Sequence, residues 1–196
     1  MRMLAFSDIH CDHAACLEIA KAGEKADLII GAGDFAQRRE GLADTMAMLE
    51  INAHKSIYVP GNNETADELR AATKAIVLHG EVTVFEGLKI AGLGAAVPPL
   101  PPLHWGSFDL SEPDAESMLG QLQHADILIS HSPAKGVADI HQKRGSIGSE
   151  AVRAAVRRLR PAFLFCGHVH DCWGQSGMIE TTSAHNLGPR VNWFDL

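Results

Sequence analysis

Apolar residues in this chain fall into short runs separated by stretches of helical spacing. Met3–Phe6, Leu28–Ile30, Ile57–Val59, Ile127–Ile129 and Phe163–Cys166 are each bounded by polar or glycine-bearing turns, which predicts short buried strands. After Asp12, the residues Cys16, Ile19, Ala20 and Gly23 recur with helical period. Thr65 and Glu68 form a capping box ahead of Leu69, Ala72 and Ile76, which predicts a helix with those three on one face. Strand and helix thus alternate through residues 1–80, as βαβ units do. The pattern then changes. Glu81–Phe85 and Leu88–Gly92 predict a hairpin turning at Glu86-Gly87. Residues 97–106 carry four prolines, which lack a donor hydrogen and fix φ, so a stiff loop near the site is expected there. Ser111 with Asp114 starts a helix striped with Ala115, Met118, Leu119 and Leu122. Ser149 starts another, with Val152, Ala155, Val156 and Leu159 inward and Arg153, Arg157 and Arg160 in solvent. Met178 to Phe194 alternates loosely and predicts two closing strands around Asn186–Pro189. No repeat or low-complexity segment is present, and one domain over residues 1–196 is expected.

Each of the five strands leads into a residue able to hold a metal ion. Asp8 and His10 follow the first, Asp34 the second, Asn62 the third, His131 the fourth, and His168 and His170 the fifth. The carboxyl ends of strands are where open α/β sheets bind ligands. An extended backbone would point Asp8 and His10 the same way, and His168 and His170 repeat that spacing. Taken singly, each has an ordinary structural explanation, since Asp and Asn suit turns and His caps loops. Their occurrence in series, each after an apolar strand, favours a shared site. Carboxylate, amide and imidazole donors suit Mn²⁺, Fe²⁺, Zn²⁺ or Co²⁺ rather than a thiolate-loving ion. Two such ions about 3.5–4 Å apart can activate water and clamp phosphate oxygens. Hydrolytic metalloenzyme chemistry is the expectation.

The series Asp8-Ile9-His10, Gly33-Asp34, Gly61-Asn62, the isolated His131 and Gly167-His168-Val169-His170 resembles the calcineurin-like metallophosphoesterase superfamily. The resemblance implies an α/β fold, a four-layer α/β/β/α sandwich of the metallophosphoesterase type. It also implies two divalent metal ions, the first on Asp8, His10, Asp34 and His170. The second would take Asp34, Asn62, His131 and His168, with Asp34 bridging. The implied activity is hydrolysis of phosphodiester or related bonds by a hydroxide held between the ions, with Asp34, Asn62 and Asn63 as catalytic residues. Asn63 departs from the pattern, because the family usually has His there. An amide cannot deliver a proton at neutral pH, and a general acid typically contributes ~10²–10⁴ in rate. His13, His104 and His141 are candidate replacements, although each also suits a surface loop. Arg38, Arg39 and Lys135 are candidate phosphate contacts, with a plain solvated loop as the alternative. A phosphomonoesterase or nucleotide pyrophosphatase could use the same centre. A non-catalytic protein-binding scaffold of this fold is disfavoured, because all seven ligand side chains are present.

Composition narrows the partners. A formal net charge of −7, with no basic run longer than Arg38-Arg39 or Arg157-Arg158, argues against stable nucleic-acid binding. The expected partner is a small phosphate ester or nucleotide, and a homodimer through the closing strands is compatible with the pattern. The four cysteines contain no CxxC pair, so free thiols and a cytoplasmic, reducing location are expected. The apolar run after Met1 is too short for a secretory signal, and no stretch nears the ~20 apolar residues of a membrane span.

Overall fold

The computed structural model describes residues 1–196. Its first half runs β1 (Arg2–Phe6), α1 (His13–Gly23), β2 (Leu28–Gly31), α2 (Leu42–Leu49), β3 (Ser56–Tyr58), α3 (Ala66–Ala72) and β4 (Ile76–Val77). Then come β5 (Glu81–Phe85), β6 (Leu88–Leu93), α4 (Glu112–Gly120), β7 (Ile127–Ser130), β8 (Ile140–His141), β9 (Gly145–Ser146) and α5 (Glu150–Leu159). The chain closes with β10 (Phe163–Cys166), β11 (Ser176–Ile179), β12 (Thr182–Asn186) and β13 (Asn192–Asp195).

The strands form two large sheets, ordered β13-β1-β2-β3-β4 and β11-β12-β10-β7-β6-β5. Strands β1 to β4 run parallel, as do β6, β7, β10 and β12, while β5, β11 and β13 are antiparallel edges. Side chains on β1 show how the layers arise, because successive strand residues face opposite sides. Met3 and Ala5 join Ile30, Ile57, Ile90, Ile129 and Phe165 in the core between the sheets. Leu4 and Phe6 face the other way, into the core under α1, α2 and α3 with Ile19, Met46 and Leu69. A third core packs the outer face of the second sheet against α4 and α5 through Leu119, Leu128, Val152, Val156 and Leu164. The architecture is therefore α/β/β/α, as expected. Burial on both faces also explains why the central strands read as continuous apolar runs.

Caps fix the helix starts. Asp12 accepts from the N–H groups of Ala14 and Ala15, and Ser149 from that of Val152. Thr65 and Glu68 complete the capping box. Four details differ from the sequence reading. Ile76 is not on a helix: Glu50 takes the Thr73 hydroxyl and the Lys74 N–H, and Ile76 then pairs with Ile57 as β4. The tail makes three strands rather than two, and after Asn186 it crosses from one sheet to the other, where β13 pairs with β1. Arg160 is the left-handed residue ending α5, not part of its outer face. Helix α2 was not anticipated, although Leu42, Met46 and Leu49 carry the i, i+4, i+7 signal. No helix is long and apolar enough to cross a membrane.

Candidate metal centre

Strands β1, β2 and β3 of one sheet and β7 and β10 of the other end at a common edge, and the loops leaving them carry the donor residues. Those loops turn sharply. Asp8, His10, Asp34 and His168 all have positive φ, at 54°, 46°, 58° and 67°. Non-glycine residues enter this left-handed region only where surrounding structure holds them, and such strain concentrates at functional sites. Asp8 and His10 therefore converge because the chain curls, not because it is extended as their spacing suggested. The same correction applies to His168 and His170. They share that spacing, yet their side chains join different groups of donors.

In the first group, Asp8, His10, Asp34 and His170 offer ligand atoms that all lie within 4.8 Å of one another, a cluster that could hold a metal ion. His10 Nε2 sits 3.2 Å from His170 Nε2 and 3.5 Å from Asp34 Oδ2. In the second group, Asn62 Oδ1 lies 3.1 Å from His131 Nε2 and 3.0 Å from His168 Nδ1. Asp34 Oδ1 is 3.5 Å from the same His131 nitrogen. One carboxylate thus turns one oxygen to each group, and the seven anticipated ligand residues all reach the site.

The surroundings fit cation ligands. His131 Nδ1 donates to the Ala32 carbonyl at 2.8 Å and His10 Nδ1 to that of Ala36 at 3.2 Å. Each therefore keeps a bare Nε2 facing the cluster, the tautomer that metal-binding histidines adopt. Asn62 donates its Nδ2 to Ser107 Oγ at 3.1 Å, and Ser107 donates to Asp109. That relay turns the amide oxygen toward the histidines. Asp34 Oδ1 accepts from the N–H groups of Asn62 and Asn63 at 2.8 and 2.9 Å. Gly61 leaves room for this, since a Cβ there would overlap the Asp34 carboxylate.

Electrostatics agrees for His168, His170 and Asp34. Burial, reinforced by the neighbouring His131, pushes His168 down to about 3, so it is a neutral donor at ordinary pH. Burial also lowers His170. Burial would raise Asp34, but His131 and His10 outweigh it and hold the carboxyl below its usual range. His131 shows the reciprocal balance. Burial favours its neutral form, yet the Asp34 and Asp8 charges raise it overall.

Two supporting residues escaped the sequence reading. Glu64, 1% exposed, accepts from the N–H groups of Asp34, Gly61 and Ala36 at 2.9, 2.6 and 2.9 Å. It ties the loop after β2 to the loop after β3. Burial, with Asp34 nearby, raises it to about 7. Nothing in its polar, glycine-bearing turn (Pro60-Gly61-Asn62-Asn63-Glu64-Thr65) sets it apart from an ordinary exposed acid. Trp173 packs its ring against that of His170, with centroids 4.4 Å apart and the planes tilted by 32°, and donates its indole N–H to Asp8 Oδ2 at 3.1 Å, orienting both.

The other candidates separate cleanly. Asn63 lines the cleft, and its side-chain oxygen accepts from the Arg38 N–H at 2.6 Å. Arg39 pairs with Glu68 at 2.6 Å, and Lys135 donates to the Ser146 carbonyl at 2.7 Å, so neither faces the centre. His13 and His104 are exposed and outside the cleft, whereas His141 lines it. From the proline-rich loop only Leu100 reaches the cleft wall. The cleft holds about 330 Å³.

The fold is similar to that of a Thermus thermophilus protein, with 16% identity and a TM-score of 0.74 over 99% of this chain and 98% of that one. It is also similar to a dimetal phosphatase from Danio rerio, with 13% identity and a TM-score of 0.59 over 96% and 88% of the two chains. A phosphopantetheinyl hydrolase from Mycobacterium tuberculosis gives 15% identity and a TM-score of 0.58 over 95% and 88%. At such identities the likeness is one of fold. A comparison with curated proteins gives no match. The calcineurin-like phosphoesterase family model matches residues 1–172, which span all seven donor residues, and the chain belongs to that family of metal-dependent phosphoesterases.

Proposed function

We propose that this chain hydrolyses small phosphodiesters at a centre of two divalent cations. The observation that carries this reading is the Asp34 carboxylate, with Oδ2 toward His10 and Oδ1 toward His131, each at 3.5 Å. Asp8, His10, Asp34 and His170 would hold one ion, and Asp34, Asn62, His131 and His168 the other. When bound, such ions supply Lewis acidity, a lowered pKa for water and a clamp on phosphate oxygens.

The chain's own residues contribute position and protonation state. Asp34 accepts two backbone N–H groups on Oδ1, so that oxygen cannot swing away. His168 stays neutral because it is buried beside another imidazole. Asn63 supports the floor through its backbone N–H to Asp34 and its side chain to Arg38, and supplies no proton. The cleft volume, near the lower end of ordinary small-molecule sites, suits a small ester better than a polymer.

A phosphomonoester or nucleotide pyrophosphate is the second reading. Arg144 favours it, because this cleft-lining guanidinium has no ion-pair partner and could take an extra phosphate charge. To decide, purified protein is loaded in turn with Mn²⁺, Fe²⁺, Zn²⁺ and Co²⁺, and bound metal is counted. Turnover is then compared on an aryl diester, an aryl monoester and a dinucleotide pyrophosphate. Two ions per chain with the diester fastest is the expected result. Full turnover with one ion, or a monoester or pyrophosphate preference, would overturn the reading.

A further inference from the structure

The short hairpin of β8 and β9 belongs to neither large sheet, yet it forms one wall of the cleft. Its position is fixed from below. Asp139, fully buried, accepts on Oδ2 from the Gly136 and Gly148 N–H groups at 2.9 and 3.0 Å and from the Ser146 hydroxyl at 2.5 Å. Asp171, next to the candidate ligand His170, accepts from the Gln142 N–H at 2.9 Å and so clamps the hairpin tip to the metal-binding segment. Such a wall is a rigid element rather than a loose loop, which is what a recognition site needs.

Two side chains on this wall face the cleft. Arg144 lines the cleft and makes no side-chain hydrogen bond or ion pair, so its guanidinium is free to meet a ligand there. It is the only Lys or Arg lining the cleft. His141 Nδ1 accepts from the Lys143 N–H at 3.1 Å, which places its own proton on Nε2. The charged and titratable groups around that ring are Asp171, 4.0 Å from Nδ1, together with Lys143 and Arg144 on the same hairpin.

We propose that this hairpin reads the substrate, with Arg144 binding the non-bridging phosphate oxygens and His141 Nε2–H hydrogen-bonding the leaving oxygen. The proposal rests on the phosphoesterase reading above. In the hydrolysis, the oxygen of water bonds to phosphorus and the bond from phosphorus to the leaving oxygen breaks. That oxygen departs with the electron pair, and the proton lost by water is balanced by the one it gains. His141 stabilises the charge on that oxygen as it builds. Arginine suits the other role because its planar fork matches phosphate oxygens.

The experiment uses full-length protein loaded with metal and follows an aryl and an alkyl phosphodiester. His141→Gln should slow the alkyl diester about 10- to 100-fold, the effect of one charge-assisted hydrogen bond, and the aryl diester far less. Arg144→Gln should lower kcat/KM about 10- to 100-fold on both substrates alike. Lys143→Gln, at the hairpin tip but outside the cleft, is the control and should change neither. Thermal unfolding and bound metal, unchanged in all three, separate recognition from folding. Equal losses on both diesters for His141→Gln, or an Arg144→Gln effect no larger than that of Lys143→Gln, would overturn the inference while leaving the phosphodiesterase reading intact. Unmodified protein hydrolysing neither diester would sink the phosphodiesterase reading and this inference with it.

Discussion

On the floor of the cleft, side chains are immobilised by the backbone. Asp34 takes two N–H groups, His131 and His10 each give a proton to a carbonyl, and Glu64 joins three N–H groups from two loops. On the rim the arrangement is reversed. The hairpin backbone is clamped by Asp139 and Asp171, while Arg144 is exposed and uncommitted. The floor fixes where cations can sit, and the rim leaves polar groups free for something that arrives later. A metal centre needs the first, because ligand atoms must be in place and deprotonated before an ion binds. Substrate recognition needs the second, because a group already paired has little left to offer.

Breaking the floor at its centre should have the largest effect. In Asp34→Asn the amide oxygen will stay on the Oδ1 side, where two N–H groups demand an acceptor, so the NH₂ will face His10. Those hydrogens repel a cation. The ion of the first group should be lost before that of the second, and hydrolysis should fall about 10³-fold or more, the upper range for one electrostatic group. Metal analysis and turnover on one preparation check both. Two retained ions with near-normal turnover would argue against the bridging role proposed for Asp34.

A smaller effect is expected from the support beneath it. Glu64→Ala leaves the N–H groups of Asp34, Ala36 and Gly61 buried without acceptors. At 1–3 kcal/mol for each unsatisfied group, the loss should be about 3 kcal/mol or more of unfolding free energy, measured in urea without metal. Glu64→Gln keeps one acceptor oxygen and should fall between wild type and Ala. Equal stability of all three proteins would mean that the loops after β2 and β3 are held by other contacts.

The same contrast explains how much could be read from the sequence. The floor was legible because each donor follows an apolar strand, and strands β1, β2, β3, β7 and β10 announce themselves by composition. The allocation of His168 and His170 to different groups was not legible from spacing, because it depends on the positive φ of His168 and the short 3-10 turn starting at His170. Glu64 and Trp173 were missed because supporting residues carry no motif, only partners that the fold brings from afar. The rim was hidden for a related reason. Ile140-His141 and Gly145-Ser146 are too short to show alternation, and a buried Asp139 holds them in place. Sequence marked Arg38, Arg39 and Lys135 as phosphate contacts because they lie near the donors along the chain, whereas the structure puts Arg144 at the cleft.

That substitution of one arginine for another gives the smallest and sharpest test of the contrast. Arg39 is near the centre in sequence, but its guanidinium meets Glu68 Oε1 at 2.6 Å on the surface of α3, with both side chains partly in solvent. Solvent and salt screen such a pair, and holding two long side chains together costs entropy. Arg39→Gln should therefore change stability by no more than about 1 kcal/mol and turnover by less than about twofold. Its backbone N–H to the Asn63 carbonyl, at 3.1 Å, survives the substitution and keeps the loop in place. The measurement is kcat/KM on the aryl diester beside Arg144→Gln. If Arg39→Gln loses more activity than Arg144→Gln, charge from the α3 side governs phosphate binding, and the division between a committed floor and a free rim is drawn in the wrong place.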